Sequence, residues 1–326
     1  MRMMSQAGGK CGLVGYRGCM ALALMALTIA LPACSKKHAT SANEPARGQK
    51  TFSTPEEAGL ALALAAKNDN QQQMTALFGP DSKDVISSGN AEEDKRSFAG
   101  FASAYDRMNR LRRLENGTEI LLVDVSNTAF PIPLRKASSG QWYFDTTLGK
   151  AELLNRTIGG NELAAVDILG ALTYAQTEYF AQEHEGTKQY ARKFISDPGT
   201  ENGLYWPDAP GKPKSPVGPL VAFATPEGAK LQPSQHKPFH GYYFGLLTTQ
   251  GFFANGGLKD WVRGGVQTRG FGFIAYPAEY GVTGVMTFII DQDRQIFQKD
   301  LGEQTRTQAP FMNQFNPDSN WSEVRE

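Results

Sequence analysis

The stretch 161-NELAAVDILGALTYAQTEYFAQE-183 decides the fold. Ala165, Ile168, Leu172, Ala175 and Tyr179 recur at steps of three and four, which lays one apolar stripe along a helix. Leu169 and Phe180 widen the stripe, while Asp167, Gln176, Glu178 and Gln182 occupy the other faces. Asn161 is a good N-cap, because its side chain can accept from a free backbone N–H of the first turn. Glu162 adds a negative charge where the helix dipole favours one. A helix with a single apolar stripe needs a partner surface. The chain offers one downstream, where 241-GYYFGLL-247 and 270-GFGFIAYP-277 read as strands. Residues 284–290 and 295–299 pair across Asp291-Gln292-Asp293-Arg294 as a hairpin by pattern. The expectation is a core helix laid on an antiparallel sheet, a far commoner use of this pattern than a cofactor-binding helix.

Upstream, Leu153 to Gly160 reads as a linker, with Gly159-Gly160 supplying a bend. A first domain begins near Thr51. Thr54-Pro55-Glu56-Glu57 opens a helix, with Thr54 as cap, Pro55 at the first position and Glu57 completing a capping box. Gln71–Phe78 is a second helix and Ala91–Arg113 a third. Glu119–Val125 is a strand, 130-FPIPL-134 is extended with its prolines confining it to an edge, and 142-WYFD-145 is another strand. Between the helix and those strands, Tyr190–Ile195 reads as a helical turn. Pro210, Pro213, Pro216 and Pro219 punctuate a loop, and Val221–Gly228 reads as helical.

The N-terminus bears on localisation. Arg2, Lys10 and Arg17 precede an apolar run from Met20 to Leu31, with no acidic residue before Glu44. The run is short for a membrane span and has the form of an export signal. It ends in Leu31-Pro32-Ala33-Cys34, so the segment resembles a bacterial lipoprotein signal, in which the processed Cys carries lipid. Ser35 after it resembles the outer-membrane sorting pattern. Residues 1–33 are then signal peptide and 34–50 a flexible polar tether. Residues 51–155 and 156–326 form two α+β domains. The expected location is the periplasmic side of the outer membrane. Three of the 33 basic residues would leave with the signal and none of the 33 acidic ones, so the mature chain is slightly acidic. That balance argues against a general nucleic-acid binder, which would show a basic patch. Cys11 and Cys19 also fall in the signal, which leaves Cys34 alone and rules out a disulfide within the mature chain.

Several motifs carry family resemblances. In order, FPIPL, GQWYFDT, LNRTIGGNELAA, AQTEYF, GLYWP, HGYYF, YPAEYG, GVMTFII and QKDLG resemble one bacterial family of unknown function, DUF2950, over nearly all of the chain after Thr51. The resemblance implies no assigned catalytic residue. Helices followed by a strand, a proline-bearing edge and GQWYFD resemble the NTF2-like or cystatin-like α+β fold. The second half resembles the globular part of type IV pilin-like and pseudopilin-like proteins, which implies a helix on an antiparallel sheet. The long apolar N-terminal half of a pilin helix is missing, and a soluble domain stands in its place.

Chemistry-bearing residues are sparse. His236 and His240 are four apart, but Pro238 forbids a regular helical pair of metal ligands. His184 sits in a charged run and reads as a solvated helix end. His240, next to Gly241-Tyr242-Tyr243, is the one candidate for acid–base work, with Glu279 or Asp300 as partner. Tyr243 is the aromatic neighbour of such a site. Asp291-Gln292-Asp293 lacks the glycine and distal glutamate of a calcium loop and reads as a hairpin turn. No phosphate-cradling glycine motif and no Gly-x-Ser-x-Gly occurs, so neither cofactor nor metal is expected. Of the aromatics Tyr205, Trp206, Tyr242, Tyr243, Phe244, Phe252, Phe253 and Trp261, most read as core and some as the lining of a groove for peptide or glycan. The leading reading is a non-enzymatic envelope binding or structural component. It would meet membrane through a lipid at Cys34, and envelope proteins or cell-wall components as partners. The alternative is a hydrolase-like enzyme with its site near His240.

Overall fold

The computed structural model describes residues 44–184 and 186–324. Cys34, the signal segment and most of the tether lie outside them. The fold is α+β, with helices on antiparallel sheets.

The first half opens with helices α1 (Pro55–Lys67), α2 (Gln71–Phe78), α3 (Lys83–Ile86) and α4 (Ala91–Arg107). The expected start of α1 is observed. Thr54 Oγ1 accepts from the Glu57 N–H at 3.2 Å, and the Glu57 carboxylate reaches back to the Ser53 N–H at 3.1 Å. Five short strands follow: β1 (Asn109–Arg113), β2 (Glu119–Val123), β3 (Thr128–Ala129), β4 (Leu134–Lys136) and β5 (Trp142–Phe144). They form an antiparallel sheet of order β1-β2-β4-β5, with β3 also on β2. One correction concerns 109–113, expected as the end of a helix. The Leu114–Thr118 turn, built on Asn116-Gly117, folds Asn109–Arg113 back onto β2 in register from Asn109 opposite Val123 to Arg113 opposite Glu119. Phe52, Leu62, Leu77, Phe78, Leu121, Leu134 and Phe144 fill the core between these helices and this sheet.

Helix α5 (Thr146–Ala181) joins the halves. It is 36 residues long, hence about 54 Å. Its cap is Asp145, which accepts from the Leu148 N–H at 3.0 Å, and not Asn161. The linker expected at 153–160 is therefore helical, without a bend at Gly159-Gly160. Residues 150–158 are mostly good helix formers. Two side chains tie the early part of α5 to the first half: Thr146 Oγ1 donates to the Phe78 carbonyl at 2.6 Å, and Arg156 donates to the Ala129 carbonyl as well as to Glu152. Gly149 is packed so closely on Ile132 that an added Cβ would lie 2.6 Å from its Cγ1. From there to Ala165 no side chain of α5 is buried.

The second half adds β6 (Glu183–His184), β7 (Thr187–Lys188), α6 (Pro219–Phe223), α7 (Pro226–Leu231), β8 (Tyr242–Leu247), β9 (Thr249–Gln250), β10 (Lys259–Asp260), β11 (Val262–Arg263) and β12 (Val266–Gln267). It closes with β13 (Gly272–Pro277), β14 (Met286–Asp291), β15 (Ile296–Asp300), α8 (Thr305–Gln308), β16 (Gln314–Phe315) and β17 (Ser322–Glu323). The main sheet runs β17-β15-β14-β13-β8, all antiparallel. The stripe on α5 packs on it as expected. Ala165, Leu169, Leu172 and Tyr179 share a core with Phe244, Phe273, Ala275, Phe288 and Ile290. The alternate residues Leu247, Ile274, Tyr276 and Ile289 point to the opposite face, onto Trp261, Ala309 and Phe315. This period of two explains why every residue of β13 is buried.

Three local expectations fail. Tyr190–Ile195 forms no helix, because the Phe194 and Ile195 N–H groups are claimed by the Glu227 carboxylate at 2.9 Å each. Gln176 is buried rather than solvent-facing, and its amide closes two bonds with the Ala191 backbone at 2.8 and 2.9 Å. His184 is buried and stacked on Tyr179 at 3.6 Å rather than solvated.

Candidate functional site

His240 and Gly241 are the two central residues of a tight turn, with φ of 47° and 72°. Phe239 and Tyr242 close it by exchanging both backbone hydrogen bonds, at 2.9 and 3.1 Å. Positive φ at both positions belongs to the hairpin turn that right-handed strand twist favours. The His240 ring is exposed and lies edge-on to Phe239 at 4.5 Å. The Gly241 carbonyl accepts from the Ala278 N–H at 2.9 Å, which sets the turn beside the 278–283 segment. Glu279 is exposed there, and its backbone caps the turn through Val282 and Thr283. Among the described residues no hydrogen bond or ion pair joins His240 to Glu279 or Asp300. Asp300 instead accepts from the Tyr280 hydroxyl at 3.2 Å. Tyr243 is half-buried and stacks face to face with His236 at 4.5 Å, and the His236 ring bonds the Phe223 carbonyl at 2.9 Å. The structure thus brings His240 and Glu279 to neighbouring turns and places Tyr243 with a different histidine.

Among the described residues no group of three or more His, Cys, Asp or Glu could hold a metal. Asp291 is a turn residue, accepting from the Asp293 and Gln295 N–H groups at 3.0 and 3.1 Å. Burial pushes its carboxyl up, as it does that of Glu227. Burial also pushes up the Tyr276 hydroxyl, to about 12. No helix among the described residues is long and apolar enough to cross a membrane.

The most unusual surface is the loop 251-GFFANGGL-258 between β9 and β10. Phe252, Phe253 and Leu258 are 71, 58 and 70% exposed, and the two phenylalanine rings meet edge to face at 5.5 Å. The loop is nevertheless firmly built. Gln250 is buried, and its side-chain amide donates to both the Asn255 and Gly257 carbonyls at 2.7 Å. Asn316 Oδ1 accepts from the Phe253 N–H at 2.9 Å, Gly251 bonds Phe315, and Ala254 is buried as an anchor. Gly251 cannot carry a side chain, since a Cβ would fall 2.2 Å from Asn316. A rigid frame therefore holds three large apolar side chains in water. Phe252 and Phe253 are among the eight aromatics expected to be mostly core, and both are exposed. The glycines at both ends of the run are the signal that could have separated them, because a glycine-bracketed FF lacks the period of a buried strand. Phe311 is also exposed.

One further recess, of about 280 Å³, is lined by Tyr179, Tyr190, Arg192, Lys193 and Asn202. Its cations are engaged within the chain: Arg192 donates to the Gly265 carbonyl and Lys193 pairs with Asp197, each at 2.5 Å.

No curated protein and no solved structure matches the chain. One family model does, over residues 49–324, from just before α1 to just beyond β17, and its description is "Protein of unknown function (DUF2950)". A match of that extent takes in both cores, the joining helix and the exposed aromatic loop, and the chain belongs to the DUF2950 family.

Proposed function

We propose that this protein is an envelope lipoprotein, anchored through Cys34 and facing the periplasm, that acts by binding rather than by catalysis. The Gly251–Leu258 loop is its contact surface. The observation that carries the reading is the loop itself: three exposed apolar side chains on a backbone fixed by the buried Gln250 amide. A preorganised loop loses little conformational freedom on binding, so its buried area converts efficiently into affinity. Phenylalanine is among the residues enriched at the buried centre of interfaces. The expected partners are envelope proteins or cell-wall components. The finer fold reading stands beside this one. Helices preceding a short antiparallel sheet support an NTF2-like first half, and a helix laid on an antiparallel sheet supports a pilin-like second half.

The test is a photo-crosslinking residue placed at Phe253 in the full chain in its own cells, with the same residue at exposed Lys95 as control. A discrete adduct from position 253 alone, lost on adding Phe252→Ser at unchanged Tm, supports the reading. Adducts at both positions alike, or at neither, overturn it. The anchor is tested separately. Cys34→Ala should release the chain from the membrane fraction and abolish the lipid mass increment, and unchanged retention and mass would sink that part.

A further inference from the structure

The end of the first sheet where the chain enters the fold carries a cationic recess of about 320 Å³, lined by Arg113, Asn116, Arg135, Lys136 and Trp142 among others. Two of its cations are aimed from behind. Arg113 Nε donates to Glu119 Oε1 at 2.6 Å, and Arg135 Nη1 to Asp145 Oδ2 at 3.1 Å. Both carboxylates are buried, so they fix the guanidinium groups from inside the fold. A guanidinium has five N–H donors, and the Arg113 side chain remains 68% exposed after this one contact. Lys136 has no carboxylate partner among the described residues, and its Nζ lies 6.0 Å from the centre of the Trp142 ring. Arg110 and Arg112, also on β1, are exposed and alternate with Arg113, so they stand on the other face of the strand.

The recess lies beside the chain's point of entry. Glu44 accepts from the Ser138 N–H at 3.0 Å, in the turn between β4 and β5. Glu44 is ten positions after Cys34, and ten residues span at most about 35 Å. A lipid on Cys34 would keep this end of the fold near a bilayer. Guanidinium and ammonium groups together suit a phosphate.

We propose that this recess binds the phosphate-bearing headgroup of an anionic phospholipid in the membrane that anchors the chain, orienting the fold on its tether. The proposal rests on the tether reading.

The test uses the full-length protein, in neutral detergent where it carries lipid, titrated with dihexanoyl phosphatidylglycerol below its micelle concentration. Dihexanoyl phosphatidylcholine and inorganic phosphate are the comparison probes. Tighter binding of the phosphatidylglycerol, by tenfold or more over both, is expected. Lys136→Glu should weaken it at least fivefold, the scale of one basic contact to an anionic surface, at unchanged Tm. Lys95→Glu on α4 should leave it unchanged. Equal affinity for inorganic phosphate would make this a small-anion pocket and overturn the proposal. So would indifference to Lys136→Glu, or no binding. The mass of the mature chain is read in the same preparation, so a missing lipid at Cys34 is recognised separately from a failure of the recess.

Discussion

The side-chain amide of Asn161 donates to the carbonyl of Thr283 at 2.8 Å, from the middle of α5 to a turn 122 positions later. The next residue does the complementary work. Glu162 Oε1 accepts from the Val285 and Met286 N–H groups at 2.9 and 3.0 Å. Glu162 thereby satisfies the backbone entering β14, and its charge adds to the burial that pushes the Tyr242 hydroxyl up. Glu162→Ala leaves two backbone donors unpaired and should cost about 1–3 kcal/mol. Glu162→Gln keeps an acceptor and should recover most of that. Urea denaturation of both variants decides it, and equal losses would mean the contact is incidental.

The apolar stripe makes a second prediction. Leu172 is buried in the core under the main sheet, and Glu178 is exposed. Leu172→Ala should cost about 2–5 kcal/mol, and Glu178→Ala less than about 0.5 kcal/mol. Chemical denaturation measures both, and similar small effects would refute the packing.

Gly159 and Gly160 have nothing within 4 Å of where a Cβ would stand, and both lie inside α5. Alanine at either position should raise stability by about 0.5–1 kcal/mol through helix propensity alone. A drop in Tm for either variant would mean the native helix does not persist there.

His240 occupies a left-handed turn position that asparagine tolerates well and β-branched residues do not. His240→Asn should leave Tm unchanged or raise it, while His240→Val should lower stability by about 1–2 kcal/mol. Equal behaviour of the two variants would show that the turn does not need this backbone conformation.

The Arg107 guanidinium beside Asp124, at 2.8 Å, holds that carboxyl down to about 2 from an ordinary 3.8. Because the folded value is the lower one, the pair's stabilisation is present above about pH 4 and is lost as the pH falls through the range toward 2. Glu227 and Asp291 have the opposite sign. Burial raises them, so their ionised forms oppose folding near neutrality, and acidification relieves that opposition. Carboxyl NMR titration of Arg107→Met should show the Asp124 midpoint rising toward the ordinary value. An unmoved midpoint would contradict the assigned cause.

What could be read from the sequence follows the physics. The stripe from Ala165 to Tyr179 and the strands at 242–247, 272–277 and 286–291 are local periodic patterns, and they fold as their periods require. The start of α5 was hidden because its cap, Asp145, directly follows a strand, and because Asn161-Glu162 imitates a helix start while serving a long-range contact. The Asn109–Arg113 strand was hidden because its arginines suit a helix equally well, and only pairing with β2 decides. Gln176, His184 and Gln250 are polar residues buried by backbone partners far from any pattern. Of the candidate site, the aromatics were visible, but exposure of Phe252 and Phe253 depends on a frame built by Gln250 and Asn316.

The uninterrupted α5 also sets a phase between the two cores. Each residue of a helix advances about 1.5 Å and turns about 100°. One residue inserted near Gly159-Gly160 would rotate the surface carrying Phe252 and Phe253 by more than a quarter turn relative to the recess at Arg113 and Lys136. Seven residues, close to two full turns, would restore the azimuth while lengthening the rod by about 10 Å. A flexible linker of the same length would erase that distinction. The bearing of the aromatic loop around the helix axis is therefore counted out in residues along a stretch that buries almost nothing of its own.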